Sequence, residues 1–349
     1  ESARGRSELD DVFFLQALAG ARSTLSEGDW PVLDYLEKWL GGQPWRDRPL
    51  GRERKMLKHA CVRFQQLTSP AAAKAVEDTA FYRSGVLLSR NDVGFSTEQF
   101  SAPLEDFHAV NQQRLRTFPD NLLATATHDH KRGEDTRARL AVLSEAADWY
   151  VEQVEQWRPL AARLRSDAST PSAGDELILY QVLLGSWPLD LHRDDTEGLA
   201  DYHQRLWQWQ QKALREAKLQ SSWSAPNQLY EQGVEAFLSR LLLEDSGKAL
   251  RDAIGEAARA IAPAGALNGL AQSLLRLTVP GVPDLYQGDE FWDFTLVDPD
   301  NRRPVDYHAR QQGLHTPPDI GELMFNWHDG RIKQALISQV LGLRKVHPQ

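Results

Sequence analysis

The chain has 349 residues, 41% of them hydrophobic and 26% charged, with a formal net charge of -9 and a pI near 5.6. This is a globular composition with room for a sizeable core, and its negative balance argues against nucleic acid or an anionic membrane as partner, since both need a cationic face. A single cysteine, Cys61, excludes an internal disulfide and fits a cytoplasmic location, and no apolar run reaches the roughly 18 residues of a spanning helix.

The first residues, Glu1 to Arg6, lack both an initiator Met and the apolar stretch of a signal peptide, so the chain is expected to begin inside a longer gene product. Residues 8–40 read as two helices. Leu9, Val12, Phe13, Leu15 and Leu18 recur at helical spacing, then Val32, Leu33, Leu36 and Leu40, and Gly41-Gly42 ends the second. Residues 52–66 continue as a helix. From 67 to 130 short apolar runs stand between turn residues: Ala71 to Val76, Val86 to Leu88, and Leu122 to Thr127. The last run ends abruptly in His128, Asp129, His130, Lys131 and Arg132, as a barrel strand does where it meets an active-site face. Residues 137–165 trace a long amphipathic helix. The stretches 177–184, 200–219, 229–243, 248–261 and 266–277 are helical in pattern, and Asn227 supplies a capping side chain before Tyr230-Glu231. Val279-Pro280 closes the last of these, and Asp284 to Glu290 is a candidate short strand leading to a polar loop. The chain's end, Arg344 to Gln349, reads as a helix tail cut short.

This order predicts an α/β, helix-rich fold: the later strands of a partial (β/α) TIM-type barrel with large helical insertions. The corresponding segments are a helical subdomain at 1–60, barrel strands with catalytic-face loops at 61–136, a helical segment and insertion at 137–262, and a last strand, polar loop and C-terminal helix at 263–349. Eleven tryptophans stand out; they fill cores, or they stack on sugar rings through the rings' apolar C–H faces.

Four constellations could carry chemistry. Thr127 to Asp135 packs seven ionisable side chains into nine residues directly after an apolar run. The same charges would also suit a solvated turn opening a helix, where Glu134 and Asp135 complement the helix dipole. Lys74 to Arg83 and Pro280 to Glu290 repeat the pattern of charges or turn residues beside an apolar run. Lys212 to Lys218 is ordinary helix-surface pairing. Phosphate loops, dinucleotide fingerprints, nucleophile elbows and zinc pairs are absent from the sequence, and His128 with His130 lacks a third metal ligand, so neither metal nor cofactor is expected.

At these motifs the sequence resembles maltooligosyl trehalose synthases, members of the alpha-amylase superfamily. The resemblance is carried by Thr127-His128-Asp129-x-Lys131-Arg132-x-Glu134-Asp135-x-Arg137-Ala138-Arg139 and by Lys74-x-x-Glu77-Asp78-Thr79-Ala80-Phe81-Tyr82-Arg83. Further matches are Lys212 to Lys218 with Ser222-Trp223 and Asn227-x-x-Tyr230-Glu231, Pro280 to Gly288, and Leu296 to Asp306. It covers roughly residues 60 to 340 and corresponds to a C-terminal portion of the family.

The resemblance implies a retaining intramolecular transglycosylation, in which the reducing-end α-1,4 bond of a maltooligosaccharide becomes α,α-1,1. Asp129 is then the third carboxylate, gripping sugar hydroxyls in the transition state, and His128 lies beside the same ring. Lys131 and Lys74 hold the terminal glucose, with Arg132, Glu77, Asp78 and Tyr286 as further substrate-binding residues. The nucleophile and acid/base that retention requires have no matching motif upstream of Lys74. The chain alone is therefore expected to be inactive, with the missing N-terminal part of the same enzyme as its partner. His130 stands where a smaller residue is expected. Rival readings are another amylase-superfamily hydrolase or 4-α-glucanotransferase, or a non-catalytic glycan-binding or helical interaction module.

Overall fold

Asp195, Asn227 and Ser172 each stand one residue before a helix, and each caps it. Their side chains accept from the backbone N–H groups of Gly198, Tyr230 and Asp175, each cap adding about 1 kcal/mol. The computed structural model describes residues 8–37, 49–167, 169–315 and 319–346, and these fall into two units divided between Val76 and Glu77. Gly41-Gly42, the residues before Glu8 and the last three residues lie outside the described residues.

The first unit contains helices α1 (Glu8–Thr24), α2 (Trp30–Glu37) and α3 (Arg52–Val76). An Arg22–Asp34 ion pair and a bond from Trp30 Nε1 to the Arg22 carbonyl tie α1 to α2. Leu33 and Leu57 are buried, whereas Val12, Phe13 and Leu15 of the expected apolar stripe are about half exposed. α3 runs unbroken through residues 60 and 61 and absorbs the run Ala71 to Val76, whose pattern suited a short strand or a turn of helix. The physical reason is composition: a run of alanines carries high helix propensity and little β-branching.

The second unit is built from ten helices among the described residues: α4 (Leu104–Thr117), α5 (Glu134–Ala141), α6 (Ala147–Ala162), α7 (Ala173–Ser186), α8 (Thr196–Ala217), α9 (Gln228–Leu243), α10 (Lys248–Thr278), α11 (Tyr307–His315), α12 (Ile320–Phe325) and α13 (Arg331–Val346). Its core lies among α6 to α10. Trp157, Tyr180, Leu206, Phe237 and Ile254 are at most 1% exposed, each burial being worth about 1.5–3 kcal/mol. Along α8, buried Leu199, Tyr202, Leu206, Trp209 and Ala213 recur every three or four residues, which is why that segment is helical and which face it buries.

Several expected boundaries are corrected. The single helix over 137–165 is two, α5 and α6, separated by a tight turn at Val142–Ser144. The two helices at 248–261 and 266–277 are one, α10, with Pro263 inside it. Proline removes one backbone donor there, but α5 packs along the whole crossing. Gly265 and Gly269 allow the approach, since a Cβ would stand 2.7 Å from Arg139 Cα and 2.4 Å from Asp135 Oδ1. Leu87 and Leu88 are buried at the start of a short 3₁₀ helix, Leu88–Arg90, rather than in a strand.

Among the described residues there are only two strands, β1 (Leu122–Leu123) and β2 (Val282–Pro283). They are parallel, with Leu122 opposite Val282 and Leu123 opposite Pro283. The run to Thr127 is thus a strand only at its start, and the strand expected at 284–290 is instead the turn that follows β2. Gly281, at φ +132, makes the pairing possible: a side chain there would collide with Leu123 at 2.6 Å. The pairing brings the loop after β1 and the loop after β2 side by side.

Candidate functional site

The chain leaves β1, passes Thr127, and turns through residues 128–133 into α5. Thr127 Oγ1 accepts from the Asp129 N–H at 3.3 Å and is 3.0 Å from His130 Nδ1. The next two residues are held from the other side by Asp92. Its carboxylate accepts from the N–H groups of Lys131 at 2.9 Å and Arg132 at 3.2 Å, and lies 3.2 Å from Arg137 Nη1. Asp92 is fully buried. A buried carboxylate is tolerated only when so satisfied, and here it fixes the loop. Sequence reading missed Asp92. Its one signal was an Asp two residues ahead of a glycine, Gly94, which has φ +79.

Lys131 is the centre of the cluster. Its Nζ lies 2.7 Å from Asp78 Oδ1 and 3.5 Å from Asp129 Oδ1, with its side chain 3% exposed. The Asp129 side chain is 58% exposed, so its carboxylate faces open space beside a screened ammonium. Glu77 stands next to this pair and accepts from the Gly94 N–H at 3.1 Å. Arg132 is buried, donates to the Asn91 carbonyl at 3.0 Å and bridges to Leu296, so it supports the loop from beneath. Burial is the main reason its guanidinium pKa lies below the usual range. Burial likewise lowers the His130 imidazole, with the Arg137 charge adding to it.

His128 exposes its ring and accepts, through its carbonyl, a bond from Asn301 Nδ2 at 2.9 Å. Tyr286 donates its hydroxyl to the Asn301 carbonyl at 3.1 Å. The structure therefore brings His128, Asp129, Lys131, Arg132, Glu77, Asp78 and Tyr286 into one neighbourhood on the second unit. Lys74 lies in the last turn of α3, in the first unit. The Lys212–Lys218 motif ties helices together: Arg215 grips Glu231 at 2.9 and 2.7 Å, and Lys212 donates to the Asp298 carbonyl. Trp157, Trp187 and Trp209 fill the core, while Trp292 is half-buried at the edge of a cleft of about 230 Å³ that Tyr286 also lines. Among the described residues no group of three His, Cys, Asp or Glu is placed to hold a metal ion.

Beneath the loop lies a buried ionic cluster that the sequence did not announce. Glu134 and Asp135, at the first turn of α5, both meet Lys333 of α13 at 2.6 Å, and Arg276 of α10 meets Glu134 at 2.5 Å. Burial pushes Glu134 up, but Lys333 and Arg276 outweigh it and hold the carboxyl at about 2. Asp135 is raised by burial to about 6, with Glu134 adding repulsion against the pull of Lys333. Asp289, fully buried, has both carboxyl oxygens without a hydrogen-bond partner among the described residues, and burial with the nearby Glu134 raises it far above a normal aspartate.

A carboxyl whose folded pKa lies above its unfolded value contributes stability below the unfolded value and loses it as pH rises. Asp289→Asn, which mimics the protonated form, should therefore stabilise the second unit at pH 7 by on the order of 1 kcal/mol and change little near pH 3. Thermal melts at the two pH values check this, and a lower melting point at pH 7 would contradict the assignment.

No protein-family model matches the chain. It is 38% identical over 288 residues to proteins of two Mycobacterium tuberculosis strains that carry the name maltooligosyl trehalose synthase, an alignment covering 82% of this chain and 34% of theirs. Among solved structures, the maltooligosyltrehalose synthase of Arthrobacter ramosus matches 95% of this chain with TM-score 0.73 and 31% identity, over 39% of its own length. A Sulfolobus tokodaii protein described as a hypothetical maltooligosyl trehalose synthase matches 84% with TM-score 0.68 and 31% identity, over 37% of its length. The chain thus spans about one third of the length of the curated relatives it matches, and the match falls on a C-terminal portion. No helix among the described residues is long and apolar enough to cross a membrane. Sequence identity and backbone similarity agree that this chain belongs to the maltooligosyl trehalose synthase family.

Proposed function

We propose that the second unit carries part of the active site of an intramolecular transglycosylase, which turns the reducing-end α-1,4 bond of a maltooligosaccharide into an α,α-1,1 bond for trehalose synthesis. The supporting observation is the carboxylate–ammonium pair at the end of β1: Asp129 open to a ligand, Lys131 screened from water between Asp129 and Asp78. In this reading Asp129 grips the hydroxyls of the ring under attack, in a contact that strengthens as the ring distorts. His128 lies along the same ring. Lys131, oriented by Asp78, holds the released glucose while it turns, and Glu77 steadies the backbone at Gly94 beneath it. Tyr286 closes the side toward β2, and Arg132 keeps the loop in place. Retaining the glucose and excluding water is what separates an isomerase from a hydrolase.

Retention also needs a nucleophile and an acid/base carboxyl close together, and neither is assigned to this chain. We infer that β1 and β2 are adjacent strands of a (β/α) barrel completed by the N-terminal part of the same enzyme. Two observations support this. A two-residue parallel pair is too small to stand alone. Leu122 and Leu275 are also 70% and 47% exposed around an open groove of about 1060 Å³ beside β1.

The test is turnover of maltopentaose. The intact enzyme should remove reducing ends with time, whereas the 349-residue chain alone should leave them unchanged. A rise in reducing ends would identify a hydrolase, and an unchanged number with redistributed chain lengths a glucanotransferase. Sustained turnover by the isolated chain would overturn the assignment of the missing carboxyls to another segment.

A further inference from the structure

The loop after β1 is anchored unevenly. Residues 131–133 are held at several points: Asp92 accepts from the Lys131 and Arg132 N–H groups, Arg132 bridges to Leu296, and the Gly133 N–H donates to the Thr295 carbonyl at 2.9 Å. His128 lies at the other end of the loop. Among the described residues one hydrogen bond reaches it from outside that loop: Asn301 Nδ2 donates to its carbonyl at 2.9 Å.

Asn301 is itself fixed. It is buried in the tight turn Asp300–Arg302. Buried Asp300 pins that turn: Arg205 of α8 binds its carboxylate at 2.8 and 3.0 Å, and the Leu296 N–H donates to it at 2.8 Å. The Tyr286 hydroxyl donates to the Asn301 carbonyl at 3.1 Å. The amide is thus a rigid arm from the segment after β2 to the loop after β1. Its use carries a cost. A carbonyl accepts only from Nδ2, so the bond to His128 turns Oδ1 away, where it is buried without a hydrogen-bond partner among the described residues. A buried acceptor left unmet destabilises the fold. An apolar side chain would avoid that cost and release His128. A half-satisfied amide is expected where placing its partner matters more than stability.

We propose that Asn301 is a positioning residue of the transglycosylation: it fixes the backbone of His128, and so the imidazole that lies along the reacting sugar. The proposal rests on the functional reading above for the role of His128. Asn301 touches no reacting atom and acts through His128.

The experiment is maltopentaose turnover by the intact enzyme carrying Asn301→Ala, Asn301→Asp, His128→Ala, or His128→Ala together with Asn301→Ala. Asn301→Ala should lower kcat roughly 30-fold with KM within a few-fold of native, since a misplacement of about 1 Å can cost on the order of 100-fold. The double variant should be no slower than His128→Ala, because a residue that acts through the imidazole has nothing left to place once that ring is gone. Asn301→Asp keeps the shape. At about pH 7.5 its carboxylate faces the His128 carbonyl with no proton to donate, and toward about pH 5 the carboxyl protonates and can donate again. Its kcat relative to the native enzyme should therefore recover several-fold as pH falls, while that of Asn301→Ala should not. Native kcat in both Asn301 variants, or losses that multiply in the double variant, would overturn the positioning and leave the functional reading intact. Native kcat in His128→Ala would instead sink that reading, and the positioning with it. Should Asn301→Ala not fold, the Asn301→Asp profile decides alone: recovery supports the proposal, and a deficit constant with pH overturns it.

Discussion

Asp129→Asn in the intact enzyme is expected to lower kcat roughly a thousandfold while KM stays within a few-fold of the native value. The magnitude follows from the contact proposed for it. Hydrogen bonds from a carboxylate to ring hydroxyls that tighten in the oxocarbenium-like transition state supply several kcal/mol, and about 4 kcal/mol corresponds to three powers of ten in rate. Asparagine keeps the shape and loses the charge. The fold should not suffer, because the Asp129 side chain is 58% exposed and Lys131 keeps its shorter pairing to Asp78 at 2.7 Å. A loss in kcat and kcat/KM together, with binding little changed, marks an interaction made in the transition state. Near-native kcat would remove Asp129 from the reaction, and a large rise in KM at constant kcat would make it a simple binding residue.

Lys333→Met carries the largest expected effect on stability, a loss of about 3–5 kcal/mol at pH 8. Lys333 is completely buried and meets Glu134 and Asp135 at 2.6 Å each, with the Phe291 carbonyl at 3.2 Å. Its pKa is raised: burial opposes the charge, but Asp135, Glu134 and Asp289 outweigh it. Methionine fills much of the same volume and leaves the carboxyls with Arg276 as their remaining buried cation.

The cost should depend on pH, and its sign follows from the neighbours. Asp135 already titrates at about 6 in the native protein, and Asp289 is raised well above its ordinary value. As pH falls both become neutral, and an unpaired neutral carboxyl costs far less to bury than an unpaired anion. The difference between native and variant proteins should therefore shrink between pH 8 and pH 5. Urea unfolding at the two pH values measures it. A loss below about 1 kcal/mol at pH 8, or one identical at both pH values, would show that the cluster is not held by Lys333. Because Glu134 and Asp135 begin α5, directly after the loop of Asp129 and Lys131, the same variant should also disorder the site.

What was legible in the sequence was local. The burst of charge after Leu122 to Thr127 located the loop, and the helical pattern over 200–219 located α8. The cap at Asn227 placed a helix start, because a capping side chain acts on a backbone N–H three residues away. The motifs from Thr127 to Arg139 and from Lys74 to Arg83 were distinctive enough to carry the family.

What only the tertiary structure decided was everything that depends on residues distant in the chain. The alanine run at 71–76 could serve as strand or helix by pattern, and it joined α3. The patterns at 248–261 and 266–277 read as two helices, yet α10 continues through Pro263 where α5 packs against two glycines. Asp92, 39 residues from Lys131, became the clamp of the site loop, and Lys333, 198 residues from Asp135, became the counter-ion of its base. Such pairings leave no periodic trace, because a buried charge needs a partner in space and any sequence separation will do. The chain's own residues fixed where the reactive loop begins; packing fixed which of its charges face a ligand and which are sealed inside.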